Sequence, residues 1–133
     1  MIVADTNLLA YLVLPTAHAS LAEAAWMKDS AWIAPPLIRS EFRNVVLGAV
    51  RRGAIRRPDA VQMLAQGRDA VAIADVPPED ESVLQLALGS GCSAYDCEFV
   101  WLARTLGIPL VTSDRQVLRA FPETAIALKA FAA

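Results

Sequence analysis

The chain opens with a short apolar run, Ile2-Val3-Ala4, that ends in a carboxylate and two small polar residues, Asp5-Thr6-Asn7. Two β-branched residues without a polar face predict a central strand that is covered on both sides, as parallel strands are. This strand would deliver Asp5 to a strand-to-helix turn, with Thr6 or Asn7 capping the helix that follows. Ligands bind outside the carboxyl ends of parallel strands, so Asp5 is a candidate site residue, although it can instead simply cap the helix.

Beyond this stretch, helical periodicity and short apolar runs alternate along the chain, with proline and glycine between them. The pattern predicts further strands at 32–34, 71–76, 108–112 and 125–128. It predicts helices at 8–14, 18–29, 37–52, 58–67, 77–89, 93–107 and 115–121. No hairpin signal such as Asn-Gly is present, so we expect four or five parallel strands with helices on both faces, in one α/β domain spanning residues 1–133.

Two acidic residues fall on apolar helix faces, where an ionised side chain is costly to bury. The faces follow from a rotation of about 100° per residue around a helix. Glu41 lies within a stripe formed by Leu37, Ile38, Phe42, Val45 and Ala49. Asp96 lies within a second stripe, whereas Glu98 faces away; that stripe is formed by Phe99, Val100, Ala103 and Leu106. Both acids therefore need a neighbouring cation or several hydrogen bonds.

The acidic residues also have purely structural interpretations. Ser93 and Asp96 have the spacing of a helix-capping box, Asp114 can cap the short helix after it, and Glu41 can pair with an arginine. These roles do not explain why Asp5 and Asp114 follow strands while Glu41 and Asp96 face inward, so that all four converge at one end of the sheet. Converging carboxylates repel each other unless a divalent cation neutralises them, and carboxylate oxygens suit Mg²⁺ or Mn²⁺. Such a cluster predicts hydrolysis of phosphodiesters by metal-activated water.

The same acidic residues stand in four characteristic segments. These are Ile2-Val3-Ala4-Asp5-Thr6-Asn7, Ser40-Glu41-Phe42-Arg43-Asn44, Tyr95-Asp96-Cys97-Glu98-Phe99-Val100-Trp101-Leu102-Ala103 and Leu110-Val111-Thr112-Ser113-Asp114. In this order and at these separations, the segments resemble the PIN-domain ribonucleases, and among them the VapC-type toxins of type II toxin–antitoxin systems. The resemblance covers essentially the whole chain.

This resemblance implies more than the pattern alone. It implies a three-layer α/β/α fold with a parallel five-stranded sheet in the order 3-2-1-4-5, and an Mg²⁺- or Mn²⁺-dependent endoribonuclease. It also implies RNA as the substrate, a small antitoxin protein as a partner and a homodimer. The implied metal ligands are Asp5, Glu41, Asp96 and Asp114, and the implied residues that orient carboxylates or water are Thr6, Asn44 and Thr112. Cys97 and Trp101 occupy positions where the family varies, so no function is assigned to them.

The composition of the chain bears on its location, on its partners and on the metals that it can bind. The chain has 133 residues, 56% of them apolar, yet charged residues interrupt every apolar run before the roughly 18 residues that a membrane span requires. The first residues show no basic leader, so we expect a cytoplasmic protein. The surplus of apolar residues indicates that a partner or a second copy covers part of the surface. Cys92, Cys97 and His18 are too few for a zinc site, so both cysteines are expected to be reduced and structural and His18 to lie at the surface.

The charge distribution bears on the substrate. A net charge of −2 is not typical of a general nucleic-acid binder. Between residues 39 and 68, however, there are seven arginines and only two acidic residues. Four of these arginines are candidates for holding an RNA backbone beside the acidic site, namely Arg39, Arg43, Arg51 and Arg52. The alternative is an ordinary solvated surface.

Three other functions compete with a nuclease. A phosphatase with Asp5 as its nucleophile normally has a second aspartate where Asn7 stands. A phosphoacceptor receiver domain fits Asp75 and Lys129 only loosely and leaves Glu41 unexplained. The third is a catalytically inactive PIN fold that binds RNA or protein, although such a module has no need to keep all four acids. A metal-dependent RNA cleavage assay separates the last alternative from the nuclease.

Overall fold

Five short strands and eight helices alternate along the chain, and the computed structural model describes every residue from Met1 to Ala133. The strands are β1 (Ile2–Ala4), β2 (Trp32–Ala34), β3 (Val71–Ile73), β4 (Leu110–Thr112) and β5 (Ala125–Ala127). The helices are α1 (Thr6–Val13), α2 (Ala19–Lys28), α3 (Leu37–Arg51), α4 (Arg57–Ala70), α5 (Asp80–Ser90), α6 (Ala94–Leu106), α7 (Arg115–Ala120) and α8 (Leu128–Ala132).

The strands form one parallel sheet in the order β3-β2-β1-β4-β5, which confirms the predicted order. Every residue of β1 and β4 is buried, so helices cover both faces of the sheet, and the predicted three-layer architecture is confirmed. Crossovers between parallel strands are almost always right-handed, and with this strand order the rule puts α1 to α4 on one face and α5 to α7 on the other. In agreement, α1, α3 and α4 pack on one another, while α6 packs on α5 and over β1 and β4.

The winding of the chain reverses between the neighbouring strands β1 and β4. In doubly wound sheets, the crevice outside the carboxyl ends of the strands at this reversal is where ligands bind. Asp5 follows β1 directly, and Asp114 lies two residues after β4. The topology therefore brings two of the predicted site residues to one edge of the sheet.

Helix α6 shows how local residues set the limits of an element. The Ser93 hydroxyl oxygen accepts a hydrogen bond from the Asp96 backbone N–H at 3.0 Å, which satisfies one of the free donors of the first turn. The helix ends at Gly107, whose φ of 66° lies in the left-handed region that glycine adopts without strain. Both limits agree with the predicted range of 93–107.

Some predicted boundaries are wrong because of tertiary contacts. The prediction ended α4 at Gly67, but the helix continues to Ala70, and Gly67 lies inside it against the ring of Phe42. The strand predicted at 71–76 stops at Ile73 because its partner β2 ends at Ala34, where Pro35 follows. Helix α8 was not predicted, since its five residues are too few to show a helical period.

Some details of the predicted apolar stripes also differ. In α3, Val46 is buried whereas Val45 is only partly buried. In α6, Leu106 is exposed at the end of the helix. Leu37 of α3 is also only partly buried, and the other residues of the predicted stripes belong to the 33-residue core. The core also contains Cys92 and Cys97, which are buried and form no disulfide. No helix is both long enough and apolar enough to cross a membrane.

Candidate active site

A cavity of about 230 Å³ opens at the carboxyl ends of β1 and β4. Its wall contains all four acidic residues that the sequence predicts for the site and all three residues predicted to orient them. These are Asp5, Glu41, Asp96, Asp114, Thr6, Asn44 and Thr112. The fold thus gathers side chains from four separate segments of the chain around one space.

Asp5 both lines the cavity and caps α1. One carboxylate oxygen, Oδ1, accepts a hydrogen bond from the Leu8 backbone N–H at 2.8 Å, so the cap is present, and it does not exclude the predicted site role. The prediction that Thr6 or Asn7 caps the helix is wrong, because the helix already includes both residues. Asp5 is the residue before the first turn of α1, and from there its side chain accepts a hydrogen bond from a backbone N–H group of that turn, which has no partner within the helix.

Burial raises the pKa of Asp5 to about 6, mainly because the charged form is removed from water. Hydrogen bonds from Thr112 and Leu8 oppose this rise, whereas the negative charges of Asp114 and Asp96 add to it. The Asp5 carboxylate is therefore held in a site that disfavours further negative charge. A cation bound beside it would reverse this effect.

Thr112, at the end of β4, links the two acids that follow strands. Its hydroxyl donates to Oδ2 of Asp5 and accepts a hydrogen bond from the Asp114 backbone N–H at 3.0 Å. Thr112 is 1% exposed, so these two bonds form away from competing water. The side chain of Asp114 in turn accepts a hydrogen bond from the Val117 N–H at 3.0 Å and caps α7.

Glu41 projects from α3 into the cavity and is held there by Thr6. The Thr6 hydroxyl donates to Oε1 of Glu41 at 2.7 Å, and Thr6 itself is buried in α1. No arginine lies within ion-pair distance of Glu41, so the alternative that an arginine neutralises it is wrong. The charge of this half-buried carboxylate is thus without a protein cation.

Asp96 reaches the cavity from the first turn of α6. Burial raises its pKa, and the nearby charge of Asp114 raises it further, while hydrogen bonding with Ser93 acts in the opposite direction. The predicted cap is therefore present, and Asp96 also lines the cavity. Three of the four carboxylates therefore lie close enough to influence one another's charge.

The donor set fits a hard divalent cation. The cavity contains carboxylate, hydroxyl and amide groups and no histidine or cysteine, a composition that favours Mg²⁺ or Mn²⁺ over zinc. As the side chains stand, no three of these carboxylates form a group that could hold a metal ion. Hydrogen bonds from the protein engage Asp5, Glu41 and Asp114. A carboxylate has about four acceptor sites, so these bonds leave oxygens free for a cation.

Comparison with known proteins gives this cavity a context. A family model described as the PIN domain matches residues 2–124. The chain belongs to the PIN domain family. This PIN domain is 29% identical over 124 residues to ribonuclease VapC3 from Pyrobaculum aerophilum, covering 91% of this chain and 95% of that protein. It is 31% identical over 78 residues to exonuclease VapC9 from the same organism, covering 59% of this chain and 58% of that protein.

A solved structure shows the same fold. The crystal structure of PAE2754 from Pyrobaculum aerophilum matches this PIN domain with a TM-score of 0.78 and 25% sequence identity. The match covers 98% of this chain and 91% of that one. The resemblance of the four sequence segments to PIN-domain proteins is thereby confirmed.

Glu98 differs in part from its prediction. It does not line the cavity of the PIN domain, as its place on the far side of α6 indicated. It is nevertheless half-buried, and its pKa is raised mainly by burial and further by the charge of Glu41. The prediction placed Glu98 on the outer face of α6 from the helical period of α6 alone. It could not take into account Glu41 on α3, whose charge acts on Glu98.

None of the four predicted RNA-binding arginines lines the acidic cavity. Arg39 and Arg43 are exposed on α3 and border a neighbouring pocket. Arg51 and Arg52 lie at the opposite end of α3, about 15 Å from Glu41 along the helix axis. The prediction also omitted Arg68 of α4, which borders the same pocket as Arg39 and Arg43, because contacts between helices leave no periodic signal in the sequence.

Proposed function

We propose that this PIN domain is an Mg²⁺- or Mn²⁺-dependent endoribonuclease and the toxin of a toxin–antitoxin pair. The observation that carries the proposal is the single cavity in which four carboxylates meet where the winding of the sheet reverses. The names of two relatives, ribonuclease VapC3 and exonuclease VapC9, support the cleavage of nucleic acid.

The residues of the chain hold the site in place before any substrate arrives. Leu8 and Thr112 fix the two oxygens of Asp5, and Thr6 fixes Glu41. The residues that would hold the cation are Asp5, Glu41, Asp96 and Asp114. The chemistry that a bound Mg²⁺ or Mn²⁺ supplies is the activation of water and the stabilisation of the leaving oxygen in phosphodiester hydrolysis.

The proposed toxin function also implies the partners of the protein. A VapC-type toxin acts on RNA in the cytoplasm, and a small antitoxin protein would restrain it by covering the site. We also propose that the domain forms a homodimer and that residues 1–133 act as one nuclease unit. The second candidate function, an inactive PIN fold that binds RNA or protein, has less support, because all four carboxylates reach the cavity.

The test uses a closed circular RNA and the linear RNA of the same sequence. Purified protein is incubated with each in Mg²⁺ or Mn²⁺ and in chelator. We expect the circle to be opened, and only with metal, because an endonuclease needs no free end. Degradation of the linear RNA alone would instead indicate an exonuclease, the activity named for VapC9. Cleavage of neither RNA by the folded protein would support the binding module.

A further inference from the structure

A second pocket, of about 280 Å³, lies between α3, α4 and the strand β3. Its floor contains the buried apolar side chains of Leu9, Ile38 and Phe42. Its rim is formed by three arginines, Arg39, Arg43 and Arg68. We call this space the arginine pocket. It shares no residue with the acidic cavity.

The charges of the arginine pocket are not satisfied within the protein. All three arginines are exposed, and the ion pairs of the structure, Met1 with Asp29 and Arg56 with Asp59, involve none of them. Three guanidinium groups around an apolar floor match a ligand with an apolar ring and an anionic group. The volume lies just below the range of about 300–1,000 Å³ typical of drug-sized ligands, so one planar base fits it better than a larger molecule.

The arginine pocket and the acidic cavity lie on two sides of α3. Arg39 and Arg43 are each two residues from Glu41, which turns them about 200° away from it around the helix. A shallow apolar groove between α3 and α4 joins the two spaces: Asn44 borders both the cavity and the groove, and Arg43 borders both the groove and the pocket. These shared side chains mark a route over the exposed side of α3 from the cavity to the pocket.

A single nucleic-acid strand can follow this route. A helix with its side chains is about 10–12 Å wide, and a strand that rises at least ~3.4 Å per nucleotide crosses that width within about four nucleotides. A base can enter the pocket only if it is unpaired, because pairing hides its faces and edges in a duplex.

We propose that the arginine pocket binds one unpaired nucleotide of the RNA strand whose scissile phosphate lies in the acidic cavity. The base contacts the apolar floor, and the phosphate contacts Arg39, Arg43 and Arg68. This inference rests on the proposed ribonuclease function and specifies its substrate as single-stranded RNA that crosses α3. An acidic peptide is the competing occupant, and the test distinguishes it.

The first experiment measures the affinity for a fluorescent single-stranded oligoribonucleotide in chelator, where cleavage does not interfere. Arg39→Gln/Arg68→Gln removes two charges at the pocket, and Arg119→Gln/Lys129→Gln removes the same charge from exposed positions on α7 and α8. We expect the pocket variant alone to weaken binding. Its plot of log affinity against log salt should become less steep by about 0.7 for each phosphate that an arginine no longer binds.

A second readout locates the base. Oligonucleotides with one abasic position each should lose affinity for the wild type at a single position within about four nucleotides of the cleaved bond. The pocket variant keeps the apolar floor but lacks two of the phosphate contacts, so its loss of affinity at that position should be smaller. In parallel, uridine monophosphate or adenosine monophosphate should shift the backbone amide signals of Gly67 and Val71, which border the pocket, in nuclear magnetic resonance spectra of the wild type.

The outcomes separate this inference from the function on which it rests. Equal binding by the two double variants, or no position-dependent abasic effect in a protein that cleaves RNA, overturns the nucleotide site and leaves the nuclease standing. Nucleotide-induced shifts at Gly67 and Val71 without cleavage of any RNA retain the site and overturn the nuclease. Shifts caused by a glutamate-rich amphipathic peptide but not by the nucleotides assign the pocket to a protein partner and overturn the inference.

Discussion

At the scale of single residues, Asp5 both caps a helix and lines the acidic cavity. One of its oxygens caps α1 through the Leu8 N–H, and the other accepts from the Thr112 hydroxyl at the end of β4. Asparagine caps helices about as well as aspartate does. The change Asp5→Asn therefore removes the charge while it keeps the volume and the cap, and the Thr112 hydroxyl must turn to accept a hydrogen bond from the new amide nitrogen.

The first prediction concerns activity. Asp5→Asn and Asp96→Asn should each reduce the rate of RNA cleavage more than about 100-fold, which exceeds the usual effect of residues that only orient a metal ligand. Asp75→Asn is the matched control, because Asp75 also follows a strand but is exposed and lies outside the cavity. Circular dichroism should be the same for all three variants. Full activity in either site variant contradicts a metal-binding role for that aspartate.

The second prediction concerns stability and pH in the metal-free protein. The pKa of Asp5 is about 6 in the folded protein against an ordinary value of 3.8, so the folded protein retains a proton that the unfolded chain releases. The stability associated with protonated Asp5 is fully present below pH ~4 and is lost as the pH rises through about 6. The shift corresponds to about 3 kcal/mol at full ionisation.

Urea unfolding in chelator measures this effect. Between pH ~4 and pH ~7, the free energy of unfolding should fall more for the wild type than for Asp5→Asn, by up to about 3 kcal/mol, because the variant lacks the titrating group. Carboxyl groups far from Asp5 titrate alike in both proteins and cancel in the comparison, whereas Asp96 and Asp114 interact with the charge of Asp5 and are part of the measured difference. If the two proteins show the same pH dependence, the Asp5 carboxylate is not desolvated as the structure indicates.

At the scale of elements, the sequence predicts best where a local residue decides. Ser93 and Gly107 mark the ends of α6, and both act through contacts within a few residues along the chain. Gly67 misled the prediction for α4, because glycine ends many helices but here admits the ring of Phe42 from α3. Whether a glycine stops a helix or accommodates a neighbour depends on a contact that the sequence alone does not show.

The third prediction follows from that contact. A Cβ atom on Gly67 would lie 2.3 Å from Cε2 of Phe42, whose side chain is buried. Gly67→Ala should therefore destabilise the protein by about 1–3 kcal/mol through overpacking, in spite of the better helix propensity of alanine. Gly89→Ala in α5 is the control, because a Cβ there meets no atom within 4 Å. It should stabilise the protein by about 0.4–1 kcal/mol.

Chemical or thermal unfolding measures the change in stability that each of the two glycine substitutions causes. Opposite signs for the two substitutions support close packing of α3 on α4. Stabilisation by Gly67→Ala similar to that by Gly89→Ala would mean that Phe42 moves aside at little cost, for example into the arginine pocket that it borders.

The acidic cavity could be predicted from the sequence, whereas the arginine pocket could not. Asp5 and Asp114 follow strands and Asp96 and Glu41 lie on inward helix faces, so topology alone brings them together. The arginine pocket was not predictable, because Arg68 meets the arginines of α3 only through the packing of α4. The half-burial of Glu98 has the same origin, since it depends on an approach from outside α6.

At the scale of the whole molecule, apolar residues still lie on the surface of the chain. Met27 on α2 and Leu88 on α5 are 83% and 86% exposed, and they lie over opposite faces of the sheet, so they belong to two separate surfaces that another chain can cover. The fourth prediction is that the free protein is a dimer at micromolar concentration, as measured by light scattering. A monomer under these conditions contradicts the proposed homodimer.

The fifth prediction concerns the effect of metal on the stability of the whole domain. Four carboxylates around one cavity repel one another without a cation, so a metal that binds only the folded state should raise the melting temperature. At a hundredfold excess over the dissociation constant, the stabilisation is about 2.7 kcal/mol, which corresponds to a shift of several degrees for a domain of this size.

Asp5→Asn and Asp75→Asn show whether this stabilisation comes from the site. In Mg²⁺ or Mn²⁺, the melting temperatures of the wild type and Asp75→Asn should rise alike, whereas that of Asp5→Asn should rise much less, because the variant lacks a ligand charge. In chelator, Asp5→Asn should melt at the same temperature as the wild type or higher, since one source of repulsion is gone. Equal metal stabilisation of all three proteins, together with a lower melting temperature of Asp5→Asn in chelator, would instead make Asp5 a helix cap whose charge has no role in metal binding.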